Sequence, residues 1–539
     1  MPMHVRNERP AGLTAQYDSA LSVNSLRLSS FLRWFLLVLI LTSMARISRA
    51  QEPQGAPSTD AVETFRSSTR LVVLDVVVSD KAGNPVQNLA KDDFTVVEDG
   101  VSQSVASFEA PAADSSSPSP RMAKDKDKNK DSGTTAASRP AIERAMNVIV
   151  LDELNSEFLD QAHARVAIDK FLRSQGPRLS SPTALLILGQ KRLEVLHDYT
   201  QDSAALLEAL KKRRAEMPST LMSAEMYSSG DRFNQALAGL NLIADANRDY
   251  AGRKNVIWIG PGFPALNSDF YDRPQVVGGA VRDVGNVLLD ARIVVYTLDP
   301  RGLEVTPVSY NGHDPGGQVE GELLFEQIAP ETGGRIFRIR NDIDVAIADS
   351  IKDGSFYYTL SYYPSNRDWN GKFRKVKIVM KRDGLVARTR LGYFSFAETP
   401  ANDQQLDTIL SRAVVNPLSY RALNVQAFVK GSGTQAGSRR FKIYVGRNRL
   451  DWQTLANGDH RCEVTAVEAS IAPSGKVTAH TVKELEGIVA AKKFSKDWDK
   501  PMAFEMTADV PAGTSHFKIV VRDSATGDMG TTDMAAQQR

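Results

Sequence analysis

The chain has 539 residues, 42% hydrophobic and 24% charged, with a formal net charge of +2 and a single cysteine. That length suits about three domains of roughly 100–200 residues, and one cysteine, Cys462, excludes both an intramolecular disulfide framework and lipid attachment beside a cleavage site. Six Arg against two acidic residues in the first 50 positions leave the remainder near −2, so nothing in the charge supports a nucleic-acid partner.

Residues 1–50 read as a secretory signal peptide: Arg27 and Arg33 precede the apolar "WFLLVLIL", and "SRA" ends at Ala50 with small residues where cleavage needs them. The run Trp34–Leu41 is far below the roughly 20 residues that span a bilayer. The mature chain is therefore expected to be secreted or periplasmic, without a membrane span. Residues 51–63 are a flexible lead-in. Residues 64–110, with "TRLVVLDVVVSD" and "DDFTVVEDG", alternate short apolar runs with turn residues and predict strands that are too few to close a core alone. Residues 111–140, with interleaved Lys and Asp and almost no large apolar residue, predict a disordered linker.

From 141 to 353 the pattern alternates strand and helix. "MNVIVLD" is apolar on both faces, as in a buried parallel strand. Ala164, Ala167, Ile168, Phe171 and Leu172 fall on one helical stripe, as do Phe233, Leu237, Leu240 and Ala244. "TALLILG", "LEVLHDY", "RKNVIWIG", "ARIVVYTLD" and "RIFRI" supply further strands, giving a doubly wound α/β domain. Residues 354–397 ("SFYYTLSYYP", "KFRKVKIVMKR", "LVARTRLGYF") return to strands. They are the expected partners of the first set in a discontinuous β-sandwich that carries the α/β domain as an insertion. Residues 398–422 read as a linker with a short helix, and 423–539 as a C-terminal antiparallel β-sandwich, so the whole is α+β and multidomain.

In "NLAKDDFTVVEDG", "LDELNSEFLDQAHARVAIDKFL", "YAGRKNVIWIGPGFP", "ARIVVYTLDPRGL", "ETGGRIF" and "DGSFYYTLSYYPSNRDWNGKFRKVKIVMKR", taken in this order, the chain resembles the acidobacterial von Willebrand factor A (VWFA)-related domain family over Phe65–Phe396. The resemblance implies a von Willebrand A fold, export, and a role in adhesion or protein interaction. It also implies a metal-ion-dependent adhesion site, with Asp-x-Ser-x-Ser after the first strand, a Thr on a later loop and an Asp after the fourth strand. Asp152 matches the first Asp and Ser156 the second Ser, whereas Leu154 replaces the first Ser and "IGPGFP" puts Gly260, Pro261 and Gly262 where the last Asp belongs. Asp152, Asn155 and Ser156 are thus candidate ligands of a degenerate site. No cofactor is expected, and Mg²⁺ or Mn²⁺ is the alternative because such ions demand a full oxygen set.

Enzyme signatures do not appear. The seven histidines stand without ligand spacing, and no G-x-S-x-G elbow or Walker A loop occurs. Tyr357, Tyr358, Tyr362 and Tyr363 read as core plus an edge patch, and Cys462 as an inert buried thiol. The resulting expectation is a nonenzymatic interaction or adhesion protein for a protein, matrix or cell-surface ligand. Its contact loops would include Glu153, Gly260, Gly262, Asp299 and Arg301, at the carboxyl ends of the strands. The rivals are a divalent-metal-dependent adhesin, a secreted hydrolase with an unrecognised site, and a scaffold whose contacts lie on the C-terminal sandwich.

Overall fold

A computed structural model describes residues 71–111, 145–214, 228–250, 252–264, 274–301, 319–338, 340–396, 402–433 and 437–536. The expected signal peptide, the lead-in and nearly all of the 111–140 linker lie outside the described residues. Four strands come first: β1 (Val72–Ser79), β2 (Phe94–Glu98), β3 (Val101–Gln103) and β4 (Val105–Glu109). In β1 and β2 alternate residues are buried, which leaves each strand one apolar face in need of a partner.

The chain then builds an α/β layer from β5 (Met146–Asp152), β6 (Arg178–Leu188), β7 (Leu193–Asp202), β8 (Lys254–Ile259), β9 (Ile293–Leu298) and β10 (Ile336–Phe337). Their order is β10-β9-β8-β5-β6-β7, all parallel except β7, which returns antiparallel on β6. The succession reverses between β5 and β8, making this the topological switch point of a doubly wound sheet. Every residue of β5, β8 and β9 is buried because helices cover both faces. On one face lie α1 (Phe158–Ser174), α2 (Ser203–Lys212) and, later in the chain, α6 (Ile343–Ser355), packed on Ile149, Leu151, Ile257, Ile259 and Tyr296. On the other lie α3 (Ser229–Asn247), α4 (Pro274–Asp290) and α5 (Val319–Thr332), packed on Val148, Val150, Val256, Trp258 and Val295. The α1 and α3 stripes read from the sequence are among the buried residues of their helices. Asp202 caps α2 by accepting from the Ala204 and Ala205 amides, and Ser228 caps α3 by accepting from Asp231 N.

After α6 come β11 (Tyr358–Tyr362), β12 (Phe373–Met380), β13 (Val386–Arg388) and β14 (Gly392–Phe394). Val72–Val76 of β1 pair antiparallel with Tyr358–Tyr362, and Phe94–Glu98 of β2 with Val376–Met380. The result is two four-stranded sheets, β13-β1-β11-β4 and β14-β12-β2-β3, with one core containing Leu74, Val76, Phe94, Val96, Tyr358, Leu360, Tyr362 and Ile378. Inside it Tyr362, Tyr393 and Arg374 all donate to the buried carboxylate of Glu98, so its charge and lone pairs are met. Tyr358 and Tyr362 are fully buried and Tyr357 nearly so; only Tyr363 of the four tyrosines is exposed, so they form no stacking surface. "LVARTRLGYF", expected as one strand, is two strands in different sheets, broken at Thr389–Leu391.

The segment expected to be a linker is instead a wedge. Its helix α7 (Asp403–Val415), started by an Asn402/Gln405 capping box, buries Leu410, Ala413 and Val414 against α3. The same apolar cluster continues into Val467, Ala469, Val520 and Met529 of the C-terminal strands. Those strands form two sheets, β15 (Val425–Ser432), β16 (Ser438–Val445) and β20 (Met502–Asp509) in one, and β17 (Gln453–Thr454), β18 (His460–Ile471), β19 (Val477–Val489), β21 (His516–Asp523) and β22 (Met529–Ala535) in the other. Phe441, Ile443, Phe504, Val464, Phe517 and Ile519 fill the space between them. Cys462 is buried there, and burial pushes its thiol up to about 12, which leaves it unreactive.

Candidate functional site

The crevice above the switch point is framed by the loops after β5 and β8. Strand alternation turns Asp152 toward the α3 side of the sheet, the side that Trp258 also occupies. Asp152 is 0% exposed. Its Oδ1 accepts from the Asn155 backbone N–H at 2.9 Å and from Asn155 Nδ2 at 3.2 Å. Its Oδ2 accepts from Asn155 Nδ2 at 3.1 Å and from Trp258 Nε1 at 3.2 Å. Burial raises the Asp152 carboxyl to about 6, against the pull of these donors and of the Arg232 charge on α3.

The loop is tied from below. Gln161, one turn into α1, donates through Nε2 to Glu153 O at 3.0 Å and Ser156 O at 3.2 Å. The Glu153 and Leu154 amides both donate to Leu188 O, at the end of β6. Leu154, where the resemblance would put a ligand serine, is fully buried in the apolar cluster on the α3 side.

Glu153, expected as a partner contact, is inside the protein. Arg165 donates to its Oε1 through Nε at 2.9 Å and also through Nη2, and Arg213 stands 3.9 Å from Oε2. Arg165 in turn donates to the Leu210 and Arg213 carbonyls, so the pair clamps α1 to the end of α2. A carboxylate committed in this way offers nothing to an external ligand.

Gly260 and Gly262 are likewise buried rather than surface contacts. Gly260 has φ +151°, and a Cβ there would meet Asp152 Cβ at 2.5 Å and Ser156 Oγ at 3.2 Å. At Gly262, φ +83°, a Cβ would fall 2.3 Å from the Phe325 ring. Only glycine lets the backbone approach this closely. Between and below them Phe263 packs edge-on against Phe325 at 4.9 Å and Phe233 at 4.8 Å, with Trp258 5.0 Å from Phe325. The loop is a lid of backbone over an aromatic plug. Asp299 and Arg301 remain half-exposed and join each other: Arg301 Nη2 donates to Asp299 Oδ2 at 2.6 Å and Nε to Oδ1 at 2.9 Å.

Asn155 Oδ1, Ser156 Oγ and Gln161 Oε1 are buried without hydrogen-bond partners, and they are the feature that speaks for a cation beside Asp152. The rest of the donor set does not fit a hexacoordinate dication. It has one carboxylate, both of whose oxygens already accept from N–H groups, and Gly260 backbone fills the position from which a further carboxylate would reach. Among the described residues no group of three His, Cys, Asp or Glu side chains is arranged to hold a metal. Trp258 and Arg165 were not singled out from the sequence. The signal for Trp258 was an indole N–H in an otherwise apolar strand, which needs a buried acceptor.

No family model matches the chain, and no curated protein matches it. Among solved structures it is similar to the SpRpn10 VWA domain (11% identity, 38% of this chain, 94% of that one, TM-score 0.24). It is also similar to the TFIIH p34 N-terminal domain (16% identity, 38% and 96%, TM-score 0.22). The pilus adhesin SpaC from Lactobacillus rhamnosus GG, in its open conformation, is a third (10% identity, 74% and 56%, TM-score 0.26). At such scores the assignment of a VWA-like α/β fold rests on the strand order, the lone antiparallel edge and the three-and-three helix layers.

Proposed function

We propose that this is an exported, nonenzymatic protein-interaction or adhesion protein, in which a VWA-like domain inserted in a discontinuous β-sandwich presents its strand-end face to a protein, matrix or cell-surface ligand without a bound ion. The observation that carries the reading is an apolar stripe beside the sealed crevice. Phe158 is 62%, Leu159 65% and Val166 66% exposed, and with Ala162 they line one side of α1 from its first turn. Large apolar side chains gathered on one helix face at the ligand end of an α/β sheet mark a contact surface more than scattered ones do. The register of β1 on β11 supports the inserted arrangement, since it brings residues before and after the α/β layer into one sheet. Export accords with the N-terminal sequence. Among the described residues no helix is long and apolar enough to cross a membrane.

The metal-dependent alternative draws on the orphaned oxygens of Asn155 and Ser156. The two readings separate in one assay, adsorption of the purified mature chain to immobilised matrix proteins in EDTA and in Mg²⁺. Ion-independent binding that is lost in a Phe158→Ser, Leu159→Ser double variant supports the proposal. Binding that needs Mg²⁺ and survives the double variant favours the alternative and sinks the first reading.

A further inference from the structure

At the opposite end of the α/β layer, where β1 faces the start of β9, lies a cavity of about 20 Å³ whose lining includes Asp75, Arg292, Thr332, Thr389 and Arg390. Two atoms of its lining residues, Thr389 Oγ1 and Arg390 Nε, are buried with no hydrogen-bond partner. A buried donor left unmet is costly, more so when charged, so two beside one cavity point to a missing acceptor.

Neighbouring groups do not supply it. Arg292 takes the Asp75 carboxylate through Nε at 3.3 Å and through Nη2, and Thr359 Oγ1 donates to the same carboxylate at 3.3 Å. Thr332 Oγ1 donates to Ile328 O at 2.8 Å and accepts from Val295 N at 3.0 Å. Arg292 thus takes up Asp75, while Arg390 keeps an Nε without a hydrogen-bond partner. Its Nη1 reaches Leu289 O at 3.4 Å and its guanidinium lies over the Tyr393 ring. Among carboxylates, Asp290 and Asp75 act on its charge.

We infer that this cavity binds a monatomic anion, a halide such as chloride, on the Thr389 hydroxyl and Arg390 Nε. Size and chemistry select this class together. A cavity of 20 Å³ admits one particle of about the size of water, since one water needs roughly 10–15 Å³ by that measure. Phosphate, sulfate and carboxylate ligands exceed that volume. Water also fits by size and could donate to Asp75 Oδ2, which accepts from Arg292 Nε. A particle that only accepts, and that carries the charge to offset a buried guanidinium, matches the two donors better.

The donors are also held in place. Residues 389–391 form the strap between β13 and β14, and Leu391 N donates to Glu331 O at 3.1 Å while Arg388 Nε donates to Gly333 O at 3.0 Å. Gly333, φ +88°, lets the end of α5 press on the strap so closely that a Cβ would lie 2.9 Å from Thr389 C. Bound halide thus joins the strap of the first β unit to the foot of the α/β layer, and halide concentration sets the stability of that joint.

The test is thermal unfolding of the mature chain in sodium chloride, sodium bromide and sodium gluconate at equal ionic strength, with Thr389→Val as the near-isosteric variant. A saturable halide-specific rise in Tm of about 2 °C at tenfold excess over half-saturation is expected in the parent, and its loss in Thr389→Val. A crystal grown in bromide should show an anomalous peak within hydrogen-bond distance of Thr389 Oγ1 and Arg390 Nε. No halide-specific rise in the parent, an equal rise in the variant, or a water at that position in place of bromide would each overturn the inference.

Discussion

Trp258 Nε1 donates to Asp152 Oδ2 at 3.2 Å and so ties the ends of β8 and β5 together across the switch point of the sheet. With Asn155 donating to both oxygens, the carboxylate is held by neutral N–H groups from two chain segments. The sequence resemblance leads one to expect a cation at that position. Here the crevice is closed by the chain's own donors and by glycine backbone.

Removing the indole donor tests that tie. Trp258→Phe keeps an aromatic ring in the plug but leaves Asp152 Oδ2 short of a partner in a buried site. A loss of about 1–3 kcal/mol is expected, measured as a lower urea midpoint with an unchanged slope. A variant as stable as the parent would mean that the hydrogen bond contributes nothing.

The clamp under the loop carries a larger penalty. Arg165→Met takes from the buried Glu153 its closest guanidinium and leaves Arg213 at 3.9 Å. Stranding a buried charge costs about 3–5 kcal/mol. Combining Arg165→Met with Glu153→Gln should recover much of that loss, and a double-mutant cycle by denaturation reads the coupling directly.

Gly260→Ala probes the lid. The new Cβ would lie 2.5 Å from Asp152 Cβ at a φ of +151°. Strain of this sort costs about 1–3 kcal/mol before the clash is relieved. Reduced Tm and faster amide exchange at Leu154 and Asn155 are expected, with no gain of metal affinity.

Glu468 makes a pH prediction. It is fully buried in β18 with only the Ser470 hydroxyl donating to it, and burial raises its carboxyl to about 7. The folded state therefore holds this proton to higher pH than the unfolded chain does, whose value is near 4.5. The group's contribution is intact below the unfolded value and is lost as pH rises from there through about 7. Glu468→Gln should make stability less steep over that window and leave the variant relatively more stable at the alkaline end. Identical pH profiles for parent and variant would refute the assignment.

Much of this architecture was legible because burial leaves a plain mark on sequence. β5, β8 and β9 read as unbroken apolar runs since helices cover both faces, and the α1 and α3 stripes show the helical period directly. Where polar residues are buried, the pattern misleads. Glu153 reads as a surface acid, and Arg165, 12 positions later, helps to explain why it is inside. Residues 398–422 looked like a linker because Leu410, Ala413 and Val414 are few among polar neighbours, yet they anchor the C-terminal strands on α3. "LVARTRLGYF" carries no break signal, because the break is imposed by Gly333 and Glu331 pressing on the strap from another element. The candidate ion position could be located from Asp152 and Ser156, but its closure by Trp258 and Gly260 depends on side-chain directions that a linear pattern does not hold. Because the C-terminal strands share an apolar core with α3 and α7, removing residues 423–539 would uncover Leu410 and Val414, so truncation does not isolate a binding role.

The most direct test of an ion-independent crevice is thermal unfolding of the mature chain with rising Mg²⁺ or Mn²⁺ against EDTA at fixed ionic strength. A cation that binds the folded state alone would raise Tm with its concentration. Melts with and without the cation should superimpose, in the parent and in Asp152→Asn alike. A saturable rise in the parent that disappears in Asp152→Asn would contradict it.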